Sequence, residues 1–172
     1  MTQTLRFHTL RTIALVGLSI GILGVAKFAH ADEGGHIKLQ TIVQKEVMVT
    51  DAAGKTRREL VPAGKVTPGD EVVYTIYFEN VQYKPVDNVE IVDAIPVHTQ
   101  YKSSSAFGPG TKINFSVDGG QTFDRPENLK VARQDGTLRL ATANDYSHVR
   151  WIYEPALREG QKAYVRFRAI VK

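Results

Sequence analysis

Period-two alternation of apolar and polar residues runs through nearly every segment after Gly35, and no stretch there carries a helical stripe. Ile37, Leu39, Val43, Val47 and Val49 share one parity, while Lys38, Gln40, Gln44, Glu46 and Thr50 take the other. Val72, Tyr74, Ile76 and Phe78 repeat the pattern, as do Val89 and Ile91, and Ile113, Phe115 and Val117. Shorter runs at Leu129 and Val131 and at Leu138 and Leu140 precede Val149, Trp151 and Tyr153, and Ala163, Val165, Phe167, Ala169 and Val171 close the series. Successive strand side chains point to opposite faces, so each run predicts a strand with one buried and one wet face. Stop and turn signals separate the runs. Pro96 has no amide hydrogen to give a ladder, and Asp118-Gly119-Gly120 and Asp135-Gly136 are hairpin dipeptides. Seven or eight short strands of this kind predict an all-β chain folded as an antiparallel β-sandwich.

Such a sandwich must be held by packing, because the chain has no cysteine. That excludes disulfides, c-type haem attachment and thiolate metal sites, and no cofactor is expected. The segment before the alternation has a different character. A basic stretch to Arg11 leads into fourteen uncharged residues, Ile13 to Ala26, and then to Ala29-His30-Ala31. This order predicts a cleavable signal helix over residues 1–31 with cleavage between Ala31 and Asp32. The apolar run is short for a membrane anchor, which needs about 20 residues, so no membrane span is expected after cleavage. The formal charge of +4 then loses its meaning. The signal segment holds three basic and no acidic residues, leaving 22 − 3 = 19 basic against 18 acidic. A nearly neutral remainder has no electrostatic footprint for nucleic acid.

The mature chain divides into an N-terminal β arm or first strand (32–50), a polar connector (51–70) holding Pro62 and Pro68, and a sandwich domain (71–172). A second long connection, Tyr101 to Thr111, carries Ser103-Ser104-Ser105 and Gly108-Pro109-Gly110. No repeat is present, and the chain closes on its last strand with no anchor expected.

Val66-Thr-Pro-Gly-Asp-Glu-Val-Val-Tyr-Thr-Ile-Tyr-Phe-Glu-Asn80 resembles the opening of a bacterial surface repeat domain of unknown function, the DUF-eleven family. The likeness continues through Asp93 to Pro96, then Tyr101 and Ser105, and a final strand introduced by Gly160. It spans residues 66 to 171 and implies an immunoglobulin-like sandwich exposed outside the cell. Members are often tandemly repeated, whereas this chain carries one copy.

Several constellations invite a chemical reading. Ser116, Asp118, Gly120, Thr122 and Phe123 fit the Asp-box pattern of sialidase-type propellers, in which the carboxylate satisfies turn amides and the aromatic packs beneath. One copy makes a stapled hairpin rather than a propeller. Asp87, Asn88, Glu90 and Asp93 offer oxygens to calcium but lack the loop spacing of a dedicated site. His98 and His148 stand 50 positions apart with no third ligand, so no metal site is expected. Trp151 shares the parity of Val149 and Tyr153 and reads as core. Arg166, Arg168 and Lys172 form a cationic stripe on the last strand, suited to blocking edge-to-edge pairing.

The arm at Ile37 to Val49 is the most pointed feature. Extended, its 13 residues would span about 43 Å, around twice the usual strand. Either it bends or breaks near Gln44-Lys45 and forms the first strand of its own domain, or Ile37, Leu39, Val43, Val47 and Val49 pair with a neighbour's sheet edge. A contact of the second kind that does not close yields a filament. Three function classes follow. The first is an exported, non-enzymatic cell-surface structural or adhesive protein forming a homo-oligomer or filament. The second is a secreted or periplasmic binding module for glycan or an envelope protein. The third is a carbohydrate-active enzyme.

Overall fold

The computed structural model of the chain describes residues 36–172. The predicted signal segment and the expected cleavage residues Ala29, Ala31 and Asp32 lie outside them. The described residues form ten strands: β1 (Ile37–Thr50), β2 (Thr56–Pro62), β3 (Glu71–Asn80), β4 (Val89–Ala94), β5 (Thr99–Tyr101), β6 (Thr111–Ser116), β7 (Lys130–Ala132), β8 (Leu138–Leu140), β9 (His148–Tyr153) and β10 (Lys162–Val171). Every pairing is antiparallel. One sheet has the order β2-β1-β3-β10-β5 and faces a second of order β4-β9-β6, with β7-β8 as a separate ribbon. The described residues thus form the all-β sandwich that the alternation predicts.

Two strands go beyond the predicted count. β2 lies in the polar connector and β5 at the start of the Tyr101 loop. Neither shows apolar alternation, because main-chain pairing rather than burial forms them. Asp51 folds the β1–β2 turn by accepting from the Ala53 and Lys55 amides at 3.0 and 2.9 Å, and Gly54 supplies its positive φ. β1 itself is one unbroken strand that changes partner at Gln44-Lys45. Residues up to Lys45 pair with β3, and residues from Gln44 onward pair with β2.

The inward rows meet between the sheets. Trp151 is fully buried, flanked in register by Ile91 and Ile113 and facing the Phe167 ring at 6.2 Å. Phe78, Leu157, Val149 and Val165 complete the innermost layer. Val73 and Thr75 have wet-face parity on β3 yet are also buried. Their cross-strand neighbours are Gln44 and Arg168 for Val73, and Ile42 and Arg166 for Thr75, whose long side chains cover the strand between them.

The residues flanking β3 hold the frame together. In Pro68-Gly69-Asp70, Gly69 takes φ +93° and donates to the Val171 carbonyl at 2.9 Å, while Asp70 accepts from the Thr67 amide at 2.9 Å. This ties the entry of β3 to the end of β10. At the other end of β3, buried Asn80 donates to the carbonyls of Lys84 and Leu157 and accepts from the Gln82 amide. One side chain so satisfies three main-chain groups that the loops would otherwise strand.

Candidate functional site

β10 lies inside its sheet, between β3 and β5, so its cations do not guard an edge as the sequence suggested. Arg168 instead reaches Glu46 of β1 at 2.7 Å and Glu71 of β3 at 2.5 Å. Glu71 also holds Lys102, and Glu46 lies 3.3 Å from Arg58 of β2. The two carboxylates hold the Arg168 guanidinium above its ordinary range. Burial pushes Glu71 up, but its bonds to Lys102 and Arg168 outweigh that and lower it. This network fastens β1 to the interior strands at the point where its partner changes.

Beyond that fastening, β1 has an open side. The Val81 N–H donates to the His36 carbonyl at 3.0 Å, which assigns the even-numbered main-chain groups of β1 to β3. The odd-numbered groups point the other way. The Ala63 N–H takes the Val43 carbonyl at 3.1 Å, and β2 takes the positions beyond it. Ile37, Leu39 and Thr41 have no strand on that side among the described residues. The side chains of Ile37 and Leu39 are half-buried against the core. Val47 and Val49 lie on the β1–β2 hairpin opposite Glu59 and Arg57. The five arm residues therefore lie on one strand, Ile37, Leu39 and Val43 where it pairs with β3 and Val47 and Val49 where it pairs with β2.

The Asp-box residues do come together. Asp118 accepts from the Ser116 hydroxyl at 2.7 Å, the Gln121 and Thr122 amides at 3.0 Å each, and the Thr122 hydroxyl at 2.5 Å. The Thr122 hydroxyl and amide, then Ser116, hold its carboxyl far below the usual range. Buried Ser116 accepts from the Gly120 amide at 2.9 Å, and Gly120 has φ +87°. Phe123 lies under the Arg150 guanidinium, 4.7 Å from ring centre to carbon, with His148 edge-on at 6.4 Å. Every Asp118 contact is spent within the turn, so the arrangement is a staple.

The oxygen cluster is dispersed. Asp87 and Asn88 precede β4, with Asn88 at φ +52°, and Glu90 points outward 3.8 Å from Arg150. Asp93 turns inward toward Tyr74, and burial pushes its carboxyl up to about 6, countered only by the Ala94 amide. His98 is exposed at φ +68° and gives its carbonyl to the Lys172 amide at 2.8 Å. His148 is half-buried beside Gly120, and burial lowers it against the pull of Asp118. Among the described residues no group of three His, Cys, Asp or Glu side chains is placed to hold a metal.

One feature escaped the sequence reading. Tyr77 of β3, Tyr164 of β10 and Phe107 of the β5–β6 loop form an aromatic row across the outer face of the five-stranded sheet. The ring centres are 5.9 and 6.2 Å apart, and Arg166 lies over Phe107 at 5.2 Å. Tyr77 and Phe107 remain 41% and 45% exposed. The available signal was Tyr77 and Tyr164 themselves, two aromatic residues at wet-face parity.

Comparisons with protein-family models, with curated proteins and with solved structures return no match. They lend no support to the resemblance to the DUF-eleven family.

Proposed function

We propose that the chain is an exported, non-enzymatic structural or adhesive protein of the cell surface that assembles through the edge of β1. The observation that carries this reading is the row of outward main-chain groups at Ile37, Leu39 and Thr41 on a strand already docked to the sandwich. Such an edge is a template for strand addition, which supplies hydrogen bonds without requiring a pocket. Export rests on the basic, apolar and small-residue order of residues 1–31. Fractionation of the native cells, N-terminal sequencing and electron microscopy of surface material test both halves. The expected result is a chain starting at Asp32 in surface-associated assemblies. Intracellular protein with an intact N-terminus would overturn the proposal.

The aromatic row favours a second reading, a saccharide-binding module. Flat faces from Tyr77, Tyr164 and Phe107, bordered by Gln40 and the Lys162–Glu79 ion pair at 3.6 Å, suit the apolar face and hydroxyl rim of a sugar. Glycan-array binding that is lost in Tyr77→Ala, from a protein that stays monomeric, would favour this reading over assembly.

A further inference from the structure

We infer that the open edge of β1 is the seam of a twofold dimer, in which Ile37–Thr41 pairs antiparallel with the same residues of a second copy and Leu39 lies opposite Leu39. This rests on the assembly reading above and specifies its partner, symmetry and register.

The register follows from what bounds the edge. Odd-numbered residues must face odd-numbered residues, because only they turn donors and acceptors outward. Three antiparallel alignments keep most of the window paired. Centring on Gln40 puts Ile37 opposite Val43, whose carbonyl already holds the Ala63 amide at 3.1 Å. Centring on Lys38 sets that lysine directly against its own copy, a like-charge pair on adjacent strands. Centring on Leu39 avoids both. It matches Ile37 with Thr41 and Lys38 with Gln40, and His36 falls opposite Ile42, so the pairing ends short of Ala63. The seam then carries about six main-chain hydrogen bonds.

The side chains agree with this alignment. Leu39 and Ile37 are half-buried on the inner face in one copy, and the twofold axis brings the two Leu39 side chains together. Lys38 and Gln40 are exposed on the outer face, and each lysine stands directly opposite a glutamine instead of its own copy. The contact is isologous and closes on itself, so it yields a dimer of sandwiches rather than an open filament.

Because the chain has no cysteine, disulfide trapping reads the register directly. Lys38 and Gln40 face each other as a non-hydrogen-bonded pair, with Cα atoms about 4.5 Å apart and within disulfide reach. Lys38 and its own copy are diagonal, about 7–8 Å apart and beyond that reach. Mild oxidation of mixed Lys38→Cys and Gln40→Cys proteins should give covalent dimer at least about tenfold above either variant alone. Sedimentation of the wild-type exported protein should show a dimer. Thr41→Pro removes one outward donor without touching the β3 ladder, and should sediment as a monomer with an unchanged circular dichroism spectrum. A wild-type monomer at high concentration overturns the dimer. Larger assemblies without the mixed disulfide overturn this seam but leave assembly through another surface standing.

Discussion

β1 and β10 are separated only by β3, both pair with it, and both alternate along their length, yet they occupy opposite environments. β10 has β3 on one edge and β5 with the Phe107 strand bridge on the other, and Val165, Phe167 and Ala169 are wholly buried. β1 is longer, at 14 residues against 10, but none of its side chains is buried and part of one edge has no strand beside it among the described residues. Alternation reports which way side chains point, whereas neighbours on both edges and a facing sheet decide how much they bury. The difference divides the labour of the fold. β10 anchors the core, and β1 lies at the margin of it.

The sharpest way to break the contrast is to cut each strand at its inward row. Phe167 is fully buried and stacks on Tyr74 at 4.9 Å and 11° while facing Trp151. Phe167→Ala should cost about 3–5 kcal/mol, because the cavity lies where both sheets are fixed and cannot collapse. Urea unfolding checks it through a lower midpoint at unchanged slope. A loss below about 1 kcal/mol would mean that the β10 core is not the stabilising centre described above.

The next effect concerns a carboxylate placed in the inward row. Asp93 is raised by burial to about 6, from 3.8 for a free side chain. Between those values the folded chain holds a proton that the unfolded chain has released, so stability falls as pH rises and the penalty is complete above about 6. Asp93→Asn removes the buried charge. The variant should be more stable than wild type by about 2 kcal/mol at pH 8, with the difference vanishing below about pH 4. Equal stability at pH 8 would show that water reaches Asp93.

What could be read from the sequence follows the same division. The inward rows of β3, β9 and β10 were legible because strong alternation reflects burial between two sheets, and Trp151 stands where its parity placed it. The Ser116–Asp118 staple was legible because all its bonds lie within a few residues. β2 was not, since its strand exists only through pairing with β1 and leaves no apolar pattern. Leu157 was missed for a related reason. It is fully buried from a loop, held by paired main-chain bonds with Val86 that no local spacing encodes. The open edge at Leu39 needed the sheet order, because a strand cannot announce how many neighbours it has. At Gln44-Lys45, where the sequence suggests a bend or break, the strand runs on without a break and changes partner, which only the pairing reveals.

The staple offers a smaller test that leaves both strands intact. Ser116 is buried at the end of β6, donates to Asp118 and accepts from the Gly120 amide. Ser116→Ala leaves that amide without its acceptor and should cost about 1–2 kcal/mol. Faster amide exchange at Gly120 and Thr122, read by hydrogen–deuterium exchange, would locate the loss in the turn. Exchange spreading along β1 instead would show that the two regions are coupled.

The smallest effect belongs to β1. Leu39 is half-buried, packing against the core from one side only, so Leu39→Ala should cost about 1 kcal/mol in dilute protein, well below the Phe167 variant. Its size depends on concentration in a way that the β10 substitution cannot share. Once the seam forms, Leu39 is covered by its own copy, and truncating it weakens association as well as folding. Unfolding midpoints of Leu39→Ala and wild type measured over a dilution series should therefore differ at low concentration by no more than that folding cost of about 1 kcal/mol, and separate further at high concentration. The gap between Phe167→Ala and wild type stays nearly constant over the same series. Parallel behaviour of the two variants would place Leu39 in the core alone and remove the distinction between β1 and β10.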